Sequence, residues 1–265
     1  MRIGWFETGG GMLRYAHRPG AGPALVLIHE MGGSIESWDL VLQSLSHDRE
    51  IVLAEMRGMG FSERVHAPFT FADLAADVVA LLDHLKIERK AILSGCAVGG
   101  AVALKICLDH PHRSAGCLAL DPALDVAAER RDATFALAER MRLGGMRVVE
   151  GDLLERTYPE LYRQRAPEHF AVVRARWLAN DPASFSDYLK VLCRTDMIPE
   201  LRRIDMPVWL SAGVNDVLRP PDYVRHVAAE IPGSRVVELD AGHHVPDHAP
   251  REVSGLLTGL VSQVS

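Results

Sequence analysis

Apolar runs of strand length alternate with segments of helical periodicity through much of this 265-residue chain. Parallel strands need long crossovers between them, so this alternation is typical of a parallel sheet with helices on its faces. The runs typical of buried strands are residues 24–28, 51–54, 91–93, 116–120, 208–212 and 235–239. The sequence therefore predicts the α/β class, with a mostly parallel, doubly wound sheet.

One long segment interrupts this alternation. Between residues 122 and 203 the strand-like runs give way to charged stretches rich in Arg, Glu and Ala. Helical patterns in the middle of a sheet-forming sequence indicate an insertion. We predict an α/β core formed by residues 1–121 and 204–265, with an inserted helical cap, or lid, at residues 122–203.

Composition and charge narrow the range of functions. The chain is 48% hydrophobic and 24% charged, as expected of a soluble globular protein. Its net charge of −6 provides no basic surface, so neither nucleic acid nor an anionic membrane is an expected partner. The sequence shows no signal-peptide pattern and no run that would span a bilayer, so a cytoplasmic location is expected. The four scattered cysteines indicate reduced thiols, and no cofactor is predicted.

Residues 92–101 read ILSGCAVGGA, an apolar strand that turns sharply into a helix of small residues. A turn of this kind carries the pattern Gly-x-Ser-x-Gly when it presents a nucleophile. Here the flanking glycines are in place, but the central position is Ala97. Cys96 is the rival nucleophile, because thiolates react readily near a histidine. Centring the turn on Cys96 would put Ser94 and Val98 where glycines belong, so Ala97 is predicted at the tip.

Acyl transfer also needs a base and an acid that orients the base. Asp216 lies in the loop after the strand at 208–212, and His243 follows the strand at 235–239. The carboxyl ends of strands carry the working residues of open α/β sheets, and the order nucleophile, acid, histidine fits this type of turn. Asp121 also ends a strand and is the alternative acid. We favour Asp216, because its loop matches the motif closely and Asp121 could simply cap a turn.

Backbone N–H groups are predicted to stabilise the oxyanion of such a reaction. One belongs to Val98, directly after the nucleophile position, and the other to Glu30 or Met31 in the loop after the strand at 24–28. No side chain is required for this role.

Histidines cluster near the predicted base, since His244 and His248 follow His243. No cysteine or acidic ligand set at metal spacing accompanies them, so zinc is not predicted. The dipeptide His29-Glu30 resembles half of an H-E-x-x-H motif, but the second histidine is missing.

Several segments together carry a family resemblance: HEMGG at 29–33, RGMGFS at 57–62, the turn at 95–99, GVNDVLRP at 213–220 and GH at 242–243. In these segments the chain resembles the α/β-hydrolases, and the match extends over almost its full length. Residues 194–216 are similar to the corresponding region of 3-oxoadipate enol-lactonases, which hydrolyse a small carboxylated lactone in aromatic-ring catabolism. The resemblance implies a serine hydrolase. Two positions depart from the family: Ala97 replaces the serine, and Glu30 stands where a small residue is usual.

Candidate ligand contacts in the predicted cap are Arg131, Trp177, Tyr188 and Arg194. Arginine suits a substrate carboxylate through paired hydrogen bonds, and a tryptophan can line an apolar pocket. The expected partner is a small, carboxylated substrate molecule, and the sequence leaves a homo-oligomer open.

Three hypotheses account for Ala97. The chain is an engineered serine-to-alanine variant, a natural protein that binds without turnover, or an enzyme in which His243 activates water directly. We favour the first, because acid, base and turn have little reason to occur together without a nucleophile. The predicted function of the parent form is then hydrolysis of small esters or lactones, and this chain is expected to be nearly inactive. The alternatives are a ligand-binding protein on this scaffold, or a hydrolase of amide or carbon-carbon bonds.

Overall fold

A computed structural model describes residues 1–264 and contains one eight-stranded sheet. Its strands are β1 Arg2–Thr8, β2 Gly11–Arg18, β3 Ala21–Ile28, β4 Arg49–Ala54, β5 Ala91–Cys96, β6 Ser114–Leu120, β7 Val208–Gly213 and β8 Arg235–Leu239. Their spatial order is β1-β2-β4-β3-β5-β6-β7-β8. All pairs from β4 to β8 are parallel, whereas β1 and β2 are antiparallel additions at one edge. The mostly parallel sheet predicted from the sequence is confirmed.

The helices lie on both sides of this sheet. They are α1 Asp39–Leu42, α2 Phe71–His84, α3 Val98–Asp109, α4 Ala128–Gly144, α5 Leu154–Thr157, α6 Glu160–Arg165, α7 Pro167–Leu178, α8 Pro182–Arg194, α9 Pro221–Ala229, α10 Val245–His248 and α11 Pro250–Val264. Short 3-10 helices occupy Ile35–Trp38, Pro111–Arg113, Met146–Val149 and Ile198–Arg203. Within residues 1–264, no helix is both long enough and apolar enough to cross a membrane.

The strands separate two apolar layers, because successive side chains point to opposite faces. On β3, Val26 and Ile28 pack with α2 and α3, whereas Leu25 and Leu27 pack with α10 and α11. All four side chains are fully buried. The central strands are therefore continuous apolar runs, which is why sequence periodicity located them well.

The β1–β2 hairpin had no comparable signal in the sequence. In β1 only Phe6 is buried, and it lies opposite Leu13 of β2. Its neighbours Ile3 and Trp5 are about half exposed. An edge strand of this kind lacks the apolar run that marks a buried strand.

Helices α4 to α8 form the insertion between β6 and β7. An isolated antiparallel bridge joins Asp125 to Asp196, close to the points where the chain leaves the core and returns to it. The boundary at residue 203 stays a prediction, since the 3-10 helix Ile198–Arg203 already contacts α3 of the core. We refer to α4–α8 as the helical insertion.

Candidate active site

Ala97 occupies the tip of the turn between β5 and α3, with φ of 52° and ψ of −111°. A positive φ is strained for any residue with a Cβ, and such strain is concentrated at functional sites. The flanking glycines permit the turn: a Cβ on Gly95 would lie 2.1 Å from the carbonyl oxygen of Gly99, and one on Gly99 2.4 Å from that of His29. The backbone therefore has the geometry of a nucleophile turn, although the side chain at its tip is a methyl group.

His243 and Asp216 form a hydrogen-bonded pair, with 2.6 Å between His243 Nδ1 and Asp216 Oδ2. The other oxygen, Oδ1, accepts hydrogen bonds from the backbone N–H groups of Leu218 at 2.7 Å and Arg219 at 3.1 Å. Burial alone would raise the pKa of Asp216, but the charge and hydrogen bond of His243 outweigh it and hold that pKa below its usual range. An ionised Asp216 requires the proton on Nδ1, which leaves Nε2 of His243 free to act as a base.

Asp121 lies beside this pair but does not bond to His243. Its Oδ1 accepts the backbone N–H of Gly213 at 2.9 Å, and the residue is fully buried with φ of 43°. The structure thus brings Asp216, the favoured acid, to His243, and places the alternative acid behind it. Donor atoms of Asp121, Asp216 and His243 lie within 4.8 Å of one another, a spacing that a metal ion would also suit. His243 and Asp216 are, however, joined directly by a hydrogen bond of 2.6 Å. A metal ion bound between them would have to replace that hydrogen bond.

The predicted oxyanion donors lie around the same turn. Val98 is the first residue of α3, so its N–H has no acceptor within the helix and lies at the positive end of the helix dipole. Val98, Glu30 and Met31 all line the cavity that contains Ala97 and His243. The carbonyl oxygen of Glu30 accepts a hydrogen bond from Nδ1 of the buried His29 at 2.6 Å.

The Glu30 side chain brings a buried acid to this loop. Its Oε1 accepts a hydrogen bond from Ser37 Oγ at 2.9 Å and lies 3.7 Å from His244 Nδ1. Burial raises the pKa of Glu30 above its ordinary value, even though His29 and the backbone N–H of Glu30 act in the opposite direction. The cavity therefore holds a base, His243, and an acid with a raised pKa, Glu30.

Cys96 faces away from the cavity, as its register in the turn predicts. The thiol is completely buried and its Sγ donates to the carbonyl oxygen of His243 at 3.3 Å. Burial raises the pKa of Cys96 well above its ordinary value, so the group is a thiol rather than a thiolate. It is in neither the place nor the protonation state of a nucleophile.

A cavity of about 350 Å³ lies between the turn and the helical insertion. Apolar side chains form most of its wall: Met31, Val98, Val126, Leu137, Leu153, Trp177, Phe185, Leu189, Leu192 and Leu218. Three arginines, Arg130, Arg156 and Arg219, also line it, and none of them pairs with a carboxylate in the described part of the chain. An apolar wall with unpaired cations suits an organic anion.

Of the four contacts predicted in the cap, only Trp177 lines this cavity. Arg131 donates from Nε to the carbonyl oxygen of Val126 at 3.0 Å, and the Tyr188 hydroxyl donates to that of Arg57 at 2.9 Å. Arg194 lies in a separate surface groove. Arg131, Tyr188 and Arg194 are therefore outside the wall of the candidate site.

Sequence patterns could not separate Arg130 from Arg131, because neighbouring residues of a helix point about 100° apart and both positions are charged. Arg219 had a clearer signal in the sequence. It follows the acid Asp216 by three positions in the same loop. Its Nη2 donates to the carbonyl oxygen of Asp125 at 2.7 Å, and its guanidinium lies over the ring of Tyr223.

Two buried histidines beside the site predict how stability depends on pH. Burial lowers the pKa of His244 to about 4 and that of His248 to about 2. Below about pH 6.5 the unfolded chain protonates both rings, whereas the folded chain does not. The free energy of unfolding should thus fall as the pH drops from about 6.5 towards 4, with each histidine contributing up to about 1.4 kcal/mol per pH unit.

The variant H248N isolates one of these contributions. His248 Nδ1 accepts the backbone N–H of Gly242 at 3.0 Å, and an asparagine oxygen can take over that bond without titrating. Urea unfolding at about pH 7 and about pH 5 should show a smaller loss of stability in H248N than in the unchanged chain. Equal losses in the two proteins would contradict the prediction.

The sheet, the turn and the paired His243 and Asp216 are the architecture of the α/β-hydrolase fold. A family model described as alpha/beta hydrolase fold matches residues 23–250. The chain belongs to this family.

Individual relatives agree with that assignment. The chain is 23% identical over 221 residues to 3-oxoadipate enol-lactonase 2 of Acinetobacter baylyi, which covers 83% of this chain and 82% of the relative. It is 26% identical over 238 residues to 2-hydroxy-6-oxo-2,4-heptadienoate hydrolase of Pseudomonas putida, covering 82% and 86%. The solved enol-lactonase of Burkholderia xenovorans LB400 is similar with a TM-score of 0.92 and 25% identity, covering 98% of this chain and all of that one. The resemblance drawn from the sequence is confirmed.

Proposed function

We propose that this site binds a small carboxylated ester or lactone and, when position 97 is serine, hydrolyses it by acyl transfer. The observation that carries the proposal is the position of His243, paired with Asp216, on the wall of a cavity that also contains Ala97 and the predicted oxyanion donors. The names of the enol-lactonase relatives agree with a lactone, and that of the heptadienoate hydrolase keeps a carbon-carbon bond open.

The charge of the cavity supports an anionic substrate. The side chain of Arg156 has no hydrogen-bond or ion-pair partner in the described part of the chain, and the guanidinium of Arg219 donates only to carbonyl oxygens. Three acids also line the cavity: Asp152 is paired with Arg140, Asp125 accepts a hydrogen bond from the Tyr223 hydroxyl, and burial raises the pKa of Glu30. The remaining positive charge favours a carboxylate, and the apolar wall favours a short carbon skeleton.

In the serine form each group has a defined task. His243 Nε2 takes the proton of the serine hydroxyl as its oxygen attacks the carbonyl, and Asp216 stabilises the imidazolium that forms. The N–H of Val98 and that of Met31 or Glu30 hold the oxyanion. His243 then protonates the leaving alkoxide, and a water molecule attacks the acyl-enzyme by the same route.

With Ala97 the acyl-enzyme cannot form, so we expect binding with very little turnover. Whether the alanine was introduced or is natural does not alter this chemistry. Replacement of Ala97 by serine, with assays on short esters and an enol-lactone, tests the hydrolytic part of the proposal.

A second candidate is a natural ligand-binding protein on the hydrolase scaffold. Glu30 favours it, because a single engineered change at position 97 would not explain a second departure at the oxyanion loop. The buried carboxyl group of Glu30 accepts a hydrogen bond from Ser37 and lies near His244, so the residues around this loop accommodate the acid. For this candidate, serine at position 97 would leave hydrolysis at background while ligand binding persists.

Binding can be tested without turnover. We expect levulinate to raise the melting temperature and its uncharged methyl ester to have a smaller effect, because only the acid can pair with the cavity arginines. A ligand at about 100 times its Kd stabilises the folded state by about 2.7 kcal/mol, which corresponds to several degrees in a chain of this size. R156Q should reduce the shift produced by levulinate.

The matched control is R194Q, which removes the same charge from the groove outside the cavity. It should leave the levulinate shift unchanged. Equal loss of the shift in R156Q and R194Q, or equal shifts from the acid and its ester, would remove the support for a carboxylate site in the cavity.

A further inference from the structure

Asp121 and Asp216 are two buried carboxyl groups with a single titratable base beside them. Asp121 is 0% exposed and Asp216 3% exposed. That base is His243, whose Nδ1 is bonded to Asp216 and not to Asp121. Two ionised carboxylates in this space would place two negative charges side by side with almost no access to water, which is costly.

The hydrogen bonds of Asp121 are incomplete unless it carries a proton. Oδ1 accepts the backbone N–H of Gly213 at 2.9 Å, which satisfies that oxygen. Oδ2 is buried and has no donor in the described part of the chain. The neighbouring carboxylate of Asp216, which has an oxygen within 4.8 Å of a carboxyl oxygen of Asp121, is an acceptor only. A proton on Oδ2 converts two facing acceptors into a donor and an acceptor.

The other charged and polar groups near Asp121 do not supply the donor that its Oδ2 lacks. Arg219 exerts a favourable but weaker influence, and its guanidinium donates to the carbonyl oxygens of Leu218 and Asp125. The neighbouring Cys96 is a thiol that donates to the carbonyl oxygen of His243. Burial first, and then the charge of Asp216, raise the pKa of Asp121 well above its ordinary value.

We propose that Asp121 is a neutral carboxylic acid whose Oδ2 donates a hydrogen bond to Asp216, so that it is a positioning residue for the acid of the catalytic pair. Asp216 then accepts four hydrogen bonds: from Asp121, from His243 Nδ1, and from the backbone N–H groups of Leu218 and Arg219. Such a carboxylate is fixed in both position and charge. The proposal rests on the proposed function only where it calls the pair catalytic.

Two substitutions separate this role from a general structural one. In D121N the amide N–H₂ can donate to Asp216 while the amide oxygen accepts from Gly213, and asparagine tolerates the positive φ of this position. In D121G the donor is lost, but no strain is added, because glycine adopts this conformation freely. D121N is therefore the conservative variant, which should keep the hydrogen bond to Asp216 that D121G loses.

The first readout is infrared spectroscopy of the chain as it stands, at neutral pH. A protonated carboxyl group has a carbonyl band distinct from that of a carboxylate. The difference between the unchanged chain and D121N should show the loss of one carboxylic-acid band. If only carboxylate absorption is lost, Asp121 is ionised and the proposal is overturned.

The second readout is the NMR signal of the His243 Nδ1 proton, which reports the hydrogen bond between His243 and Asp216. D121G should shift the His243 Nδ1 proton signal, since Asp216 then loses a donor, and D121N should not.

These two measurements require no catalysis, so they remain decisive if the proposed hydrolysis fails. In the A97S background we expect D121G to lower kcat by about tenfold with little change in KM, and D121N to retain most activity, as for a lost interaction that orients the acid. Equal activity of D121G and D121N, together with equal His243 signals, would show that Asp121 does not position Asp216.

Discussion

A97S is expected to hydrolyse a short carboxylated ester or an enol-lactone at least about a thousandfold faster than the unchanged chain, since loss of a triad nucleophile costs on the order of 10⁶ in rate. The turn already has the required backbone, with φ of 52° at position 97. The base and acid are already paired at 2.6 Å. The substitution adds only an oxygen, so the remainder of the site does not need to be rebuilt.

The same assays can check whether A97S hydrolyses its substrate through an acyl-enzyme. A97S should release the alcohol of an activated ester in a burst followed by a slower steady phase, because the acyl-enzyme accumulates when its hydrolysis is slower than its formation. The rate should fall as His243 is protonated on acidification, since only the neutral ring accepts the serine proton.

The controls are A97S/H243A, which removes the base, and C96S, which removes the neighbouring thiol without adding a group at the tip. A97S/H243A should lose most of the gain, and C96S should gain nothing, because Cys96 is completely buried. Background rates for A97S across a panel of esters and lactones, combined with a retained levulinate shift, would favour the ligand-binding candidate.

G95A is expected to destabilise the fold by about 3 kcal/mol or more, the upper part of the range for overpacked positions. The added Cβ would lie 2.1 Å from the carbonyl oxygen of Gly99 and 2.2 Å from its carbon. Both atoms belong to the backbone at the start of α3, which is held against β5 and cannot yield like a flexible side chain. The melting temperature should fall by roughly 2–4 °C for each kcal/mol lost.

G255A is the matched control. Gly255 lies within α11 and a Cβ there would have no neighbour within 4 Å. Alanine is the better helix former, so the variant should gain about 0.5–1 kcal/mol. Thermal and urea unfolding of the two variants give the comparison. Similar stability changes for G95A and G255A would mean that the close approach at the turn is not rigid.

Sequence patterns were sufficient for the elements that are buried on both faces. The strand predicted at residues 24–28 is part of β3, and helix α2 begins at Phe71, with Thr70 as its cap. Thr70 and Asp73 exchange hydrogen bonds in a capping box, a local interaction that sequence spacing can indicate. The β1–β2 hairpin lacked such signals, because its stability comes from pairing with β4 rather than from an apolar run.

In the site, local motifs predicted the residues that come directly after strands. Asp216 and His243 could be placed because the carboxyl ends of parallel strands meet at one edge of the sheet. The positions of Arg130 and Arg156 in the cavity wall depend on how the helical insertion packs over that edge, and no short sequence motif indicates this packing. Arg130 and Arg131 differ only by a rotation about the axis of α4, which sequence cannot assign before the tertiary contacts are known.

The strained backbone at Ala97 is held entirely by its neighbours. Its N–H donates to the carbonyl oxygen of Leu120 at 2.8 Å, and its carbonyl oxygen accepts from Ala101 and Ala123. No side-chain atom of residue 97 takes part in these bonds. The backbone at position 97 is therefore held in the same conformation whichever small side chain it carries. An exchange between alanine and serine is thus expected to change the chemistry of the site and to leave the cavity around it unaltered.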